Sequence, residues 1–161
     1  MILKIFHTAD VHLGARFNFL DVKAKDQRKQ LEVTFAGLVD KAVAQDAQIF
    51  LIAGDLFDSA FPSKESIEFV SFRLEKLFRA GIFTAVIAGN HDFLDTNSVY
   101  LNSPISRIED KYFHLFNRPE LSTWELPQLD VVVIGASLDH PKNSTDLSGL
   151  KKITDIYKEN I

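Results

Sequence analysis

Residues 49–58 of this chain read IFLIAGDLFD, and this stretch decides the predicted fold. Its first five residues are apolar and include β-branched side chains, a pattern typical of a strand buried on both faces in a parallel sheet covered by helices. The apolar run ends at Gly54, and the carboxylate of Asp55 follows at once. An aspartate at the carboxyl end of such a strand lies where open α/β sheets bind their ligands.

Two other apolar segments lead into polar side chains in the same way. Residues 3–6 predict a short strand that precedes Asp10 and His12, and residues 82–88 predict a strand that precedes the sequence GNHD at 89–92. Because the carboxyl ends of parallel strands share one edge of a sheet, we expect these polar groups to converge. The sequence therefore predicts a metal site on one rim of the sheet.

The segments between these strands predict helices. Apolar residues recur at helical spacing from about residue 26 to 44, and again after an N-cap at Ser63 until Gly81. Residues 15–25 lack periodicity and are predicted to be a loop. The resulting β-α-β-α-β order implies parallel strands and right-handed crossovers, and hence an α/β fold.

The pattern is weaker after Asp92. We find no internal repeat and no linker, so one domain is predicted. The remaining predicted elements are a loop or short helix at 95–104, a strand at 112–116, a hairpin from 123–126 and 130–135, and a terminal helix at 147–160.

Composition sets the class of protein. The chain has 161 residues, of which 46% are hydrophobic and 25% charged, as in an ordinary soluble globular domain. It has no cysteine, so any metal must bind through oxygen and imidazole. We see neither a signal peptide nor an apolar run of about 20 residues, and we expect a cytoplasmic protein with no membrane contact. The net charge of −4 argues against a generally basic nucleic-acid surface but does not exclude DNA, because bound cations would add positive charge.

Each polar cluster has an ordinary alternative when it is taken alone, namely a turn with a surface histidine or aspartate. Together they favour a metal centre, because converging carboxylates without a Lys or Arg partner would repel each other unless cations lay between them. Oxygen and imidazole donors suit Mn, Fe or Zn. His91 could hold a proton if a carboxylate fixed its orientation, and Asp58 is interpreted as an outer-shell or structural residue.

The residues also carry a resemblance to a known family. The sequences HTADVHLG at 7–14, GDLFD at 54–58 with Pro62 nearby, and GNHD at 89–92 resemble the calcineurin-like metallophosphoesterases, and more narrowly the SbcD-type DNA repair exonucleases. The protein serine/threonine phosphatase branch instead follows its Gly-Asp with Val-Asp-Arg-Gly, which is absent here. The resemblance spans roughly residues 1–92 and continues loosely to 161. It implies a layered α/β/β/α fold.

The resemblance also implies a pair of divalent metal ions. Asp10 and His12 would bind the first ion, Asp55 would bridge both ions, and Asn90 would bind the second. The metal is usually manganese in this branch, with Fe, Zn or Mg as alternatives.

The implied reaction is phosphodiester hydrolysis in DNA double-strand break repair. His91 would contact the scissile phosphate and assist the leaving oxygen. Asp92 would orient His91 without itself binding a metal ion. The implied substrate is DNA ends or hairpins. The implied partners are an SMC-like ABC ATPase with a long coiled coil and a second copy of the nuclease.

The chain departs from the family in its later histidines. Family members continue further and supply more metal ligands, including a Gly-His-x-His sequence, whereas the later histidines here are His114 and His140. We expect His114 to lie on a strand face and His140 in a loop. Residues 1–161 are therefore interpreted as the N-terminal part of a nuclease domain that encodes only part of the two-metal site. Two alternatives stay open: a general phosphodiesterase or phosphomonoesterase, and a non-catalytic scaffold that has lost the second metal.

Overall fold

A four-stranded parallel sheet forms the centre of the molecule. The computed structural model describes residues 2–108, 111–144 and 150. Its four strands lie side by side in the order in which they follow one another along the chain, and all neighbouring strands are parallel. The predicted β-α-β-α-β order is confirmed, and the buried stretch at 49–53 is the second strand. The strands are β1 (Ile5–Thr8), β2 (Ile49–Ala53), β3 (Phe83–Ile87) and β4 (Phe113–Leu115).

Two long helices cover one face of this sheet. They are α1 (Ala24–Ala44) and α2 (Lys64–Arg79), and a short helix α3 (Val99–Asn102) follows β3. Both long helices bury side chains in one apolar cluster with Phe50 and Ile52 of β2. Since side chains alternate across a strand, the neighbouring residues of β2 point to the opposite face.

An antiparallel hairpin covers that opposite face. Its strands are β5 (Ser122–Leu126) and β6 (Val131–Gly135), and a 3₁₀ turn joins them. Ile49 of β2 and Phe83 of β3 pack there with Leu126. The molecule is thus layered as helices, parallel sheet and hairpin, which confirms the predicted α/β class. The terminal helix predicted at 147–160 lies outside the described residues, apart from Leu150.

Local signals predicted most helix boundaries correctly. Ser63 caps α2, because its hydroxyl oxygen accepts the N–H of Ser66. Gly81 follows the end of α2 with a left-handed φ of +72°, as expected for a glycine beyond a helix C-terminus. The loop predicted at 15–25 is partly wrong, since 18–23 forms a 3₁₀ helix and α1 begins at Ala24. This 3₁₀ helix buries no side chain, so it leaves no apolar period in the sequence.

No helix among the described residues is both long enough and apolar enough to cross a lipid bilayer.

Candidate metal centre

The chain segments that follow β1 and β2 are joined side by side. Four main-chain hydrogen bonds of 2.9 to 3.2 Å link residues 10–13 to residues 54–58. One of them runs from the N–H of His12 to the carbonyl oxygen of Asp55, over 2.9 Å. The side chains of these two residues are therefore held on a common main-chain frame, as the convergence of strand ends predicts.

The segment after β3 packs directly against Asp55. The N–H of His91 donates to Oδ1 of Asp55 over 2.8 Å. Gly89 leaves the space that this contact needs, because a Cβ on Gly89 would lie 2.2 Å from the same oxygen. Asp55 itself has a left-handed φ of 50°, which is uncommon for a residue other than glycine. The third predicted polar cluster thus joins the first two.

Three side chains form a group that could hold a metal ion. His12, Asp55 and His91 each offer one ligand atom, and these atoms lie within 4.8 Å of one another. Asp55 is buried, His12 is half-buried and His91 is exposed to solvent. The two imidazole rings meet edge to face with centroids 4.6 Å apart. His91, predicted as a catalytic residue, therefore also lies within reach of an ion held by His12 and Asp55.

Asp58 contacts both of these histidines. Its Oδ1 lies 3.2 Å from Nδ1 of His12 and 3.7 Å from Nδ1 of His91. Its main-chain carbonyl oxygen is also 3.2 Å from Nδ1 of His91. The sequence interpretation of Asp58 as an outer-shell residue agrees with these contacts, since its carboxylate touches the rings rather than joining the three-residue group.

Asp92 has a different set of partners from the one expected. Its fully buried carboxylate accepts the N–H groups of Gly89, Phe57 and Asp55 over 2.8, 3.1 and 3.2 Å, and the hydroxyl of Tyr100 over 2.5 Å. The ring of His91 contacts Asp58 instead. Asp92 therefore ties the segment after β3 to the segment after β2, and Asp58 is the carboxylate placed to orient His91.

Burial governs the ionisation of the Asp92–Tyr100 pair. Removal from water raises the pKa of the Asp92 carboxyl, and the negative charge of Asp55 adds to the rise. Hydrogen bonds from Tyr100, Gly89 and Phe57 act in the opposite direction on that pKa. Burial and the neighbouring charge of Asp92 raise the pKa of the Tyr100 hydroxyl well above its usual value. Tyr100 thus stays a neutral donor to the carboxylate.

The other two predicted ligands lie at the same rim with their side chains in solvent. Asp10 is exposed and its carboxylate is not among the three grouped side chains, although its N–H donates to the carbonyl of Gly54 over 3.2 Å. Asn90 is exposed next to His91. His114 lies on β4 and stacks on Trp124 with ring centroids 5.1 Å apart, and His140 lies in an exposed loop. Neither of these later histidines belongs to the group found among the described residues.

The residues present fit a divalent cation. Nδ1 of His12 is buried and makes no hydrogen bond within the described part of the chain, since its close approach to Asp58 is not aligned as one. Asp55 and Asp92 are both buried, and no Lys or Arg of the described ranges pairs with either. Buried carboxylates without a cation are unfavourable, and one carboxylate with two imidazoles is a set that suits Mn, Fe or Zn.

Tyr100 was missed by the sequence reasoning. It lies in the weakly patterned stretch after Asp92, where no periodicity marks a buried residue, and nothing in the sequence links its hydroxyl to a carboxylate eight positions earlier. The sequence partly indicated the contact of Asp58 with His91, because Asp58 follows Asp55 by three residues at the same strand end.

Comparison with known proteins assigns the chain to a family. It belongs to the calcineurin-like phosphoesterases, whose family model matches residues 3–159. It is also similar to the SbcD component of the nuclease SbcCD of Staphylococcus epidermidis, with 30% identity over 119 residues. That alignment covers 67% of this chain and 30% of the length of the relative. The predicted family and its SbcD-type resemblance are thereby confirmed, and the family description agrees with the predicted hydrolytic class.

Proposed function

We propose that this chain is part of a metal-dependent phosphodiesterase that cleaves DNA. The observation that carries the proposal is the group of His12, Asp55 and His91, with Asp58 behind the two rings, in a chain of a phosphoesterase family. Polar donors that converge at the carboxyl ends of parallel strands form the usual ligand position of an α/β sheet.

His12 and Asp55 would hold a divalent ion, with His91 beside it as the proton donor, and we propose manganese as that ion. When bound, it would neutralise charge on a phosphoryl oxygen and lower the pKa of a water molecule. Asp10 and Asn90 are proposed as further ligands because they flank the group on the same rim, so that a second ion would share Asp55.

His91 is proposed to carry the proton that the leaving oxygen needs. A main-chain carbonyl can only accept a hydrogen bond, so Nδ1 of His91 carries a hydrogen when it contacts the carbonyl of Asp58. Nε2 is then the nitrogen left to face the departing oxygen. The Asp58 carboxylate, 3.7 Å from Nδ1, keeps the orientation of the ring, so that Nε2 would donate the proton to this oxygen.

A cavity beside the centre supports a polymeric substrate. It has a volume of about 900 Å³ and reaches Asp58 at one side. Four cationic and four acidic side chains line it, and the exposed ring of Phe61 lies at its wall. Cations that follow a phosphate backbone and an aromatic ring that stacks on a base are typical of strand binding. The cationic residues are Arg16, Lys25, Arg28 and Lys29.

The partners are proposed from the relative. Its name identifies one component of a nuclease complex called SbcCD. We propose that this chain acts in the cytoplasm on DNA ends or hairpins in double-strand break repair, with an SMC-like ABC ATPase and a second copy of itself.

The test compares two substrates in the presence of Mn²⁺, namely a DNA hairpin and a small aryl phosphate. We expect hairpin cleavage that is lost in His91→Gln and retained in His140→Gln, since His140 is an exposed histidine outside the group. Hydrolysis of the aryl phosphate alone would favour a general phosphoesterase. Binding of Mn²⁺ without hydrolysis of either substrate would contradict catalysis by this chain and favour a scaffold.

A further inference from the structure

Residues 88–94 carry the candidate ligand Asn90 and the candidate catalytic residue His91. Two residues of a distant segment bind both ends of this stretch. The N–H of Leu138 donates to the carbonyl of Ala88 over 3.1 Å, and the carbonyl of Leu138 accepts the N–H of Leu94 over 2.8 Å. Both ends of residues 88–94 therefore meet at the main chain of Leu138, just beyond the end of β6.

Ser137 adds a side-chain contact to this closure. Its Oγ accepts the N–H of Ala88 over 2.8 Å, and its own N–H donates to the carbonyl of Arg118 over 2.9 Å. Ser137 is fully buried and Ala88 is buried as well. The hydroxyl thus satisfies a main-chain N–H that has no access to water, and an unsatisfied buried N–H is unfavourable.

The main-chain position of Ala88 affects the positions of residues in the candidate metal centre. Gly89, the next residue, packs so tightly on the segment after β2 that a Cβ on Gly54 would lie 3.1 Å from its Cα. The N–H of Gly89 binds Asp92, and the N–H of His91 binds Asp55. Because Gly89 and Gly54 pack without free space between them, a shift of Ala88 would displace His91 and Asp55 relative to each other.

We infer that Ser137 is a positioning residue of the metal centre, which sets the place of Asn90 and His91 through the N–H of Ala88. The hydrogen bonds of Ser137 are made with Ala88 and Arg118 rather than with Asn90 or His91. Ser137 therefore acts on a main-chain atom two residues before Asn90. The segment that follows the hairpin, by this route, contributes to a site whose candidate side chains among the described residues come from residues 10–92. This inference rests on the proposed metal-dependent function.

The test is Mn²⁺ binding by calorimetry to the unchanged chain and to Ser137→Ala. We expect the variant to bind about tenfold more weakly, the lower end of the effect of removing a group that orients metal ligands. The matched control is Ser122→Ala, because Ser122 lies on the hairpin that precedes Ser137 and donates to the carbonyl of Gly135 rather than to residues 88–94. Ser137→Thr retains a hydroxyl and should restore most of the affinity.

A second measurement does not depend on the folding of a variant. If Ser137 and the ion act on the same segment, metal binding must in return stabilise that segment. Hydrogen exchange of the Ala88 amide, followed by NMR, should therefore slow on addition of Zn²⁺, by more than exchange of the Val133 amide within the hairpin.

Each outcome bears on the inference. Equal affinity of Ser137→Ala and the unchanged chain, an equal loss in Ser122→Ala, or Ala88 exchange that does not respond to Zn²⁺ would overturn it alone. Absence of Mn²⁺ binding by the unchanged chain would overturn both the inference and the proposed metal function.

Discussion

Residues other than glycine have a left-handed backbone conformation at both ends of the parallel sheet, but their side chains differ in burial and in partners. At the amino end, Asp46 has a left-handed φ of 51°, its side chain is exposed, and the adjoining turn is closed by ordinary hydrogen bonds such as Lys4 Nζ to the carbonyl of Gln45. At the carboxyl end, Asp10, His12 and Asp55 have φ between 50° and 52°. There the carboxylate of Asp55 is buried, and it has no Lys or Arg partner in the described part of the chain.

The difference is that, at the carboxyl end of the sheet, the strained backbone conformations occur at candidate metal ligands. A residue other than glycine in a left-handed conformation costs on the order of 1–3 kcal/mol, and it persists where surrounding contacts determine it. At the carboxyl end, the main-chain bonds between residues 10–13 and 54–58 supply those contacts. Strain, a buried carboxylate and an unbonded imidazole nitrogen therefore occur together at one end of the sheet, which is the expected signature of a cation-binding site.

The strongest way to break this comparison is to remove the close approach at the carboxyl end. Gly89→Ala would place a Cβ 2.2 Å from Oδ1 of Asp55, so we expect a loss of about 1–3 kcal/mol in the free energy of unfolding and loss of Mn²⁺ binding. Urea titration and calorimetry measure the two effects. Gly37→Ala is the control, because nothing lies within 4 Å of a Cβ there; in the middle of α1 it should raise stability by about 0.5–1 kcal/mol. Similar results for the two variants would contradict the account.

The second prediction compares the replacement of one aspartate by asparagine at each end of the sheet. Asp58→Asn removes the charge that lies against His12 and His91, and we expect Mn²⁺ affinity to fall about 10-fold or more, with the fold retained because Asp58 is partly exposed. Asp46→Asn, at the amino end, should leave the affinity unchanged. Calorimetry on both variants would show the contrast, and equal affinities would mean that Asp58 has no role in the centre.

The third prediction concerns the Asp92–Tyr100 pair beneath the centre. Tyr100→Phe removes one donor from the buried carboxylate of Asp92, which keeps its three main-chain donors, so we expect a loss of about 1 kcal/mol in unfolding free energy. Tyr112→Phe is the matched control, because its ring packs on Phe83 and its hydroxyl has no hydrogen bond within the described ranges. A cost as large for Tyr112→Phe would show that the hydroxyl of Tyr100 contributes nothing specific.

Much of the fold was accessible from the sequence because its central strands are regular. The uninterrupted apolar run at 49–53 and the glycine that ends it specify a strand buried on both faces, and the helix signals at Ser63 and Gly81 have local causes. The 3₁₀ helix at 18–23 could not be read in this way, since it buries no side chain.

The site was predictable in its location and less so in its contacts. Parallel topology alone brings His12, Asp55 and His91 to one rim, so chain order was sufficient to predict their convergence. Which carboxylate faces the ring of His91 depends on side-chain geometry, and the family resemblance implied Asp92 where the structure has Asp58. The contributions of Tyr100 and Ser137 depend on packing between segments that no local pattern connects.

A metal centre at this rim is tested best by Mn²⁺ binding, measured by calorimetry on this chain and on Asp55→Asn. Asn retains an oxygen that can accept the N–H of His91, so the variant should fold, as circular dichroism would verify. The account predicts saturable binding of at least one ion by the unchanged chain and its loss in the variant. No saturable binding at millimolar Mn²⁺, or equal binding by both proteins, would contradict a metal centre at the carboxyl ends of β1, β2 and β3.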